Sequence, residues 1–447
     1  MDMSSPASVP DVSLFQTDFP PLEFSVRRSK VFDQIGSNAL ALLQGASPLG
    51  ELQSFRQSND FYYLCGVEVP DAYLLLDGNR RKTTLYLQGH NPGQERSEGP
   101  ILNSDQASLA QTLTGVDEVR KTDELPYGLS EAQTIYTLQG RPSPAEMSNP
   151  LDAQPTREAY LIDKLKALCP NADIEDLSPI IRSLRMIKST AEINLMRPAG
   201  QLTALAVAEA MRGVKPSVME YQLAAVADYI FLINGARGGG YPPIIAGGKN
   251  AWHGHYSRND SPLKDGDLVL MDYAPDYGYY TSDIGRMFPV NGTYTAWQRE
   301  LYGFIVEYHK ALLKRIRPGA MASDIMDDAA QEMKQVIDQT TFSKAAYENA
   351  ARGALEFRGH LSHTVGMDVH DGGDYRNSPL IPGTVFSVDP MMWIPEERLY
   401  IRVEDTVVIT EDGIENLTQL APLELDDVEQ LMKEEGIIQK LPPVIDS

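Results

Sequence analysis

Cysteine is scarce in this sequence: 447 residues hold two, Cys65 and Cys169. Neither sits in a CxxC or Cys/His cluster, which argues against a thiolate zinc site, and two cysteines allow one disulfide at most. No run of about 18 apolar residues occurs, so no membrane span is expected. Basic charge is also short, with 39 Lys plus Arg against 62 Asp plus Glu and a net charge of −23. Nucleic acid and anionic membranes require a basic face, so neither is expected as a partner. The N-terminal residues lack the basic start and apolar stretch of a signal peptide. A cytoplasmic location is therefore expected, with a processed secreted form left open. No GxSxG singles out a serine nucleophile. The glycine-rich stretch Gly235–Gly240 lacks the GKS or GxGxxG ending of a phosphate cradle.

The length suggests two or three domains, and a composition that is 42% hydrophobic allows a sizeable core. Residues 1–21 are Ser/Pro-rich and read as a flexible arm. Residues 22–180 read as an α/β domain and 181–447 as a second domain. Within the first, the apolar spacing predicts a helix from Leu22 to Ala46. Strands are expected at Phe61–Cys65, Ala72–Leu76 and Thr83–Leu87. The stretch RMIKS at Arg185–Ser189 leads into a predicted helix from Ala191 to Met211. A second helix is expected to end near Asn234, and a last one spans Leu423–Lys440.

The residues that could carry chemistry begin with two aspartates. Leu268–Ala274 reads as a buried strand, Pro275–Gly278 as turn chemistry, and Tyr279–Val290 as the returning strand. A turn centred between Tyr277 and Gly278 places Asp272 directly opposite Asp283, with Cβ atoms about 4.5–5.5 Å apart. A second hairpin repeats the arrangement. Thr384–Asp389 and Leu399–Ile409 flank a polar turn, and a centre between Glu396 and Glu397 sets Asp389 opposite Glu404. Two pairs of facing carboxylates on apolar strands cannot all ionise without protonation, basic partners or metal cations. A pair of divalent ions about 3.5–4 Å apart would balance four carboxylates. The competing reading is that these acids cap turns or form surface ion pairs. Four together at mirrored spacings favour the shared site.

Seven histidines occur, and five lie in two clusters: His253 and His255, then His360, His363 and His370. A neutral imidazole at His363 could complete a mostly oxygen coordination sphere.

The order Asp272, Asp283, His363, Asp389, Glu404 resembles the metal ligands of the pita-bread metallopeptidases, the family of methionine aminopeptidase, aminopeptidase P, prolidase and the metal-free creatinase. The stretches DLVLMDYAPDYGYYTSDIGRMFPVNG, GMDVHD, YIRVEDTVVIT and HYSRND are similar to aminopeptidase P and prolidase. Upstream, FRQSNDFYYLCGVEVPDAYLLL resembles the aminopeptidase P N-terminal domain, and RMIKSTAEINLM the junction that follows it. The resemblance implies an α+β fold: a C-terminal pita-bread catalytic domain preceded by an α/β creatinase-type N-terminal domain. It implies two divalent metal ions, with Mn preferred and Co or Zn as alternatives. Asp272 would bind one, His363 and Asp389 the other, while Asp283 and Glu404 bridge both. Their bound water, ionised near neutral pH, would attack the scissile carbonyl. His255 and His370 would bind substrate, and Arg402 would orient the site. The implied activity releases the first residue from peptides with proline second, and the implied assembly is a homodimer or higher homo-oligomer. Alternatives are a Xaa-Pro dipeptidase and a catalytically inactive peptide-binding relative.

Three positions depart from the family pattern. Asp389 stands where the family carries a glutamate that shuttles protons, so its carboxylate is one methylene shorter. Gly359 stands where a family histidine lies four residues before His363, with His360 one position later. Gly285 replaces a threonine beside the metal site.

Overall fold

A computed structural model describes residues 14–48, 54–129, 132–140 and 155–443. The chain divides into two compact units, Met1–Leu184 and Arg185–Ser447. The first is built on a six-stranded mixed sheet. Its strands are β1 (Ala39–Gln44), β2 (Tyr73–Asp77), β3 (Lys82–Leu87), β4 (Glu118–Lys121), β5 (Thr134–Thr137) and β6 (Asp173–Asp176), in the order β4-β3-β2-β1-β5-β6.

Two local expectations fail here. The helix begun at Pro21 stops at Ile35, and Ala39 and Leu42, read as its continuation, lie in β1. Gly36 at φ 76° ends it, a conformation that costs glycine little. Phe61–Cys65, read as a strand, belongs to the helix Asn59–Cys65, in which all five are buried. A short run buried all round does not reveal its period. Of the expected arm, residues 1–13 lie outside the described residues. Phe19, within the arm, is buried, and its ring lies 5.8 Å from that of Phe24.

The second unit centres on an antiparallel sheet ordered β10-β13-β9-β8-β7, with β14 (Ile414–Asn416) added on β13. Its strands are β7 (Ile244–Gly247), β8 (Leu268–Asp272), β9 (Ile284–Pro289), β10 (Val385–Val388) and β13 (Glu404–Ile409). β11 (Met391–Ile394) and β12 (Leu399–Arg402) form a separate two-stranded ribbon. Every residue of β8, β9, β10 and β13 is buried, as expected of strands covered on both faces. The helix Thr190–Gly213 opens with a capping box: the Ser189 amide donates to Glu192 Oε2 at 2.8 Å and the Glu192 amide to Ser189 Oγ at 3.2 Å. The helix Glu220–Ile233 follows, and Ala296–Leu313, Ala322–Gln339 and Ala345–Glu356 complete the helical part of the core. The tail breaks into Leu425–Leu431 and Ile437–Lys440 rather than one helix. Among the described residues, no helix is long and apolar enough to cross a membrane.

Candidate metal centre

The second hairpin has the expected register. Val385 pairs with Val408 and Val388 with Asp405, so Asp389 and Glu404 fall opposite each other where β10 and β13 end. The ribbon keeps the same register, with Met391 opposite Arg402. The first hairpin is displaced. Met271 pairs with Arg286, and the turn is Gly278–Tyr279, closed by mutual amide-to-carbonyl bonds between Tyr277 and Tyr280. Both central residues have positive φ, 58° and 73°, as a type I′ turn requires. Asp272 is therefore diagonal to Asp283 rather than opposite. A displacement of two residues keeps both side chains on one face.

Three of the five expected donors cluster directly, and Arg402 links Asp272 and Asp389 to them. Donor atoms of Asp283, His363 and Glu404 lie within 4.8 Å of one another. His363 Nε2 is 3.3 Å from Asp283 Oδ2. Arg402 joins the rest: its Nη1 is 3.0 Å from Asp272, its Nε 3.2 Å from Asp389, and its Nη2 contacts Glu404. Gly285 lies opposite Glu404, and a Cβ there would come within 3.1 Å of Arg402 Nε. The missing threonine thus leaves space that the guanidinium borders.

Tyr241 was not anticipated. Its hydroxyl stands 2.8 Å from Asp272 Oδ1 and 3.0 Å from Asp283 Oδ1. The glycine-rich stretch before it explains the placement. The chain at Gly239 bridges to Pro275, and a Cβ at Gly239 would lie 2.2 Å from the Tyr273 hydroxyl oxygen. Only a glycine lets the backbone come so near, so the stretch that cradles no phosphate instead delivers Tyr241. Thr406 supports the same corner, accepting from the Asp283 amide at 2.7 Å and donating to its carbonyl at 2.8 Å.

The electrostatics fit a cation site. Burial, then the Glu404 and Asp272 charges, push Asp283 well above the usual carboxylate range. Burial also raises Asp272 against the pull of Arg402, and raises Asp389 to about 7. At Glu404 burial acts upward, but Arg402 and His363 outweigh it and the carboxyl falls below its usual value. Glu404 Oε1 is buried and has no hydrogen-bond partner among the described residues. One guanidinium faces four carboxylates. The remaining negative charge, the orphaned oxygen and the mixture of oxygen donors with one imidazole all suit a pair of divalent ions.

Histidines line the approach. The His370 ring lies 4.0 Å from that of His363 and 6.2 Å from that of His255, and both His255 and His370 are exposed. Partial desolvation of its ring against the site, then His363 and His255, lower His370 to about 4, so its imidazole is neutral at pH 7. His253 is exposed. His360 packs edge-on against Phe357 and lines a cavity of about 730 Å³ that also reaches Asp389, Met391 and Trp393.

Residues 194–411 match the model of metallopeptidase family M24, and residues 24–136 match the aminopeptidase P N-terminal domain. The chain is 35% identical over 399 residues to Xaa-Pro aminopeptidase 3 of Rattus norvegicus, covering 85% of this chain and 77% of that protein. It is 31% identical to the Xaa-Pro aminopeptidase of Escherichia coli strain K12, covering 92% and 97%. The structure of Escherichia coli aminopeptidase P with the inhibitor Pro-Leu superposes with a TM-score of 0.80 at 29% identity, over 93% of this chain and 99% of that one. With both domain models matched in order and likeness along most of its length, the chain belongs to metallopeptidase family M24, in its aminopeptidase P branch.

Proposed function

We propose that this metallopeptidase hydrolyses the Xaa-Pro bond and releases the first residue from peptides with proline second. The observation that supports it most is the convergence of Asp272, Asp283, His363, Asp389 and Glu404 beside the exposed imidazoles of His255 and His370. Asp272 would hold one ion, His363 and Asp389 the other, with Asp283 and Glu404 shared between them. Mn is the preferred metal, on the family likeness. When bound, such ions polarise the scissile carbonyl and make a water nucleophilic near neutral pH.

The chain's own groups supply the rest. Neutral His370 can donate one N–H to the scissile carbonyl oxygen, and His255 faces it across the opening. Asp389, which stands where the family carries its proton-shuttling glutamate, can accept a proton from the attacking water and return it to the proline nitrogen. The Asp389 carboxylate, one methylene shorter than the family glutamate, lies 3.2 Å from Arg402 Nε. Arg402 ties three of the four carboxylates together and fixes their geometry. The proline nitrogen carries no hydrogen, so a site that offers no acceptor there loses nothing on binding it.

The test uses apo-protein reconstituted separately with Mn, Co and Zn, offered Xaa-Pro dipeptides and longer Xaa-Pro-Yaa peptides. Release of the first residue from the longer peptides supports the proposal. Cleavage of dipeptides alone moves the assignment to a dipeptidase. Binding of two ions without any cleavage leaves a peptide-binding relative.

A further inference from the structure

We propose that Arg185 and Lys188, at the start of the second unit, are positioning residues for the peptidase reaction, acting through Asp371 on His370. The inference rests on the reading of His370 as a group that meets the substrate.

The segment 364–372 carries His370 and has neither helix nor extended strand. Something else must therefore fix it. Arg185 Nη2 lies 2.5 Å from Asp371 Oδ1 and 2.6 Å from Asp368 Oδ2. One guanidinium thus grips both ends of the tetrapeptide Asp368–Asp371, whose third member is His370. Lys188 Nζ reaches the other oxygen of Asp371 at 3.1 Å, and both side chains are at most 1% exposed. The two cations outweigh burial and hold the Asp371 carboxyl below its usual range.

The backbone is fitted to this clamp. The Asp371 amide donates to the Thr364 carbonyl at 2.9 Å, and the Thr364 hydroxyl donates to the Asp371 carbonyl at 2.7 Å. A Cβ at Gly366 would stand 2.0 Å from Asp371 Oδ2 and 2.8 Å from Lys188 Cε, so the chain passes the ion pair with no space for a side chain. The Gly366 carbonyl in turn accepts from the Thr281 amide at 2.9 Å, two residues before Asp283. A buried carboxylate with two cations is a costly way to hold a loop by packing alone, since apolar residues of like volume often serve as well or better. Its directional grip on the residue next to His370 is what an apolar contact lacks.

The experiment compares metal-loaded wild type with Lys188→Met, Lys188→Arg and Asp368→Asn. Asp368 is exposed and its replacement removes one end of the clamp, so it serves if Lys188→Met does not fold. Steady-state cleavage of Xaa-Pro-Yaa peptides, metal content, and hydrogen exchange of the 365–372 and 385–409 amides are measured. Lys188→Met is expected to lower kcat by about 10–100-fold, as a misplacement near 1 Å does, with KM little changed and both metals retained. Exchange should quicken in 365–372 and not in 385–409, and Lys188→Arg should recover most of kcat. Asp368→Asn should show the same pattern, weaker. Full kcat in both Lys188→Met and Asp368→Asn overturns the proposal, and so does faster exchange throughout both segments, which marks general destabilisation. Wild type inactive on every peptide defeats the proposed function instead, and the exchange data then still decide whether the clamp holds the segment.

Discussion

Asp405 offers the sharpest test of how the centre is held. It follows Glu404 directly and points the other way, into the core. Arg286 Nη2 donates to it at 2.7 Å, His309 Nε2 lies at 2.8 Å, and the Thr418 hydroxyl donates at 2.6 Å. Both members of the Arg286–Asp405 pair are 1% exposed. Arg286 also donates to the Glu404 carbonyl at 2.6 Å, so the pair fixes the backbone that carries a proposed bridging ligand. Asp405→Asn keeps the shape and removes the charge, which leaves a buried guanidinium uncompensated. Breaking one partner of a buried pair costs about 3–5 kcal/mol. For a unit the size of Arg185–Ser447, with about 2–4 °C per kcal/mol, the expected fall in melting temperature is roughly 6–20 °C.

The pH dependence has a definite sign. Burial acts to raise the Asp405 carboxyl, but Arg286, His309 and Thr418 together hold it well below the usual range. A depressed folded value contributes stability that is present above the unfolded value, about 3.9, and is lost as pH falls below it. The deficit of Asp405→Asn should therefore be level between about pH 5 and 8 and shrink only below about pH 4. Thermal melts of metal-loaded wild type and variant across this range provide the measurement. A deficit under about 1 kcal/mol, or one that already shrinks between pH 7 and 5, would refute the reasoning.

Tyr241→Phe removes a hydroxyl shared by Asp272 and Asp283; at about 1.5–3 kcal/mol for a hydrogen bond to a charged group, metal affinity measured by chelator competition should fall roughly 10–100-fold. Exhaustive chelation should abolish peptide cleavage and lower the melting temperature, and metal restored to 100 times its Kd should return about 2.7 kcal/mol. A melting temperature indifferent to chelation would sink the metal-centre assignment. Gly239→Ala drives a methyl group into the Tyr273 ring and should cost about 1–3 kcal/mol in denaturant unfolding, with a further loss of kcat from the displaced Tyr241.

The two hairpins show why part of this site was legible before the structure. Around Glu396 and Glu397 the turn is short and polar, and its centre could be placed to the residue; the register of β10 with β13 followed. Around Asp272 and Asp283 the turn begins one residue later, because Tyr279 adopts φ 73°, which a bulky side chain rarely does. Tyr279 tolerates this because its ring is buried with the Arg237 guanidinium 5.0 Å from its centroid, a contact between residues 42 positions apart that no local pattern discloses. The error did little harm, since the side-chain period of a strand is two and the displacement was also two. Tyr241 and the partners of Arg185 and Lys188 escaped notice for a different reason. Each of these three side chains acts on a carboxylate far along the chain, and nothing in the spacing around residue 185 points to residue 371. Alternation along a strand shows which side chains share a face, whereas the partner that a buried charge finds is decided by how the sheet and junction fold together. The strand faces that bring the candidate donors together were thus within reach of the sequence, and the side chains packed around them required the fold.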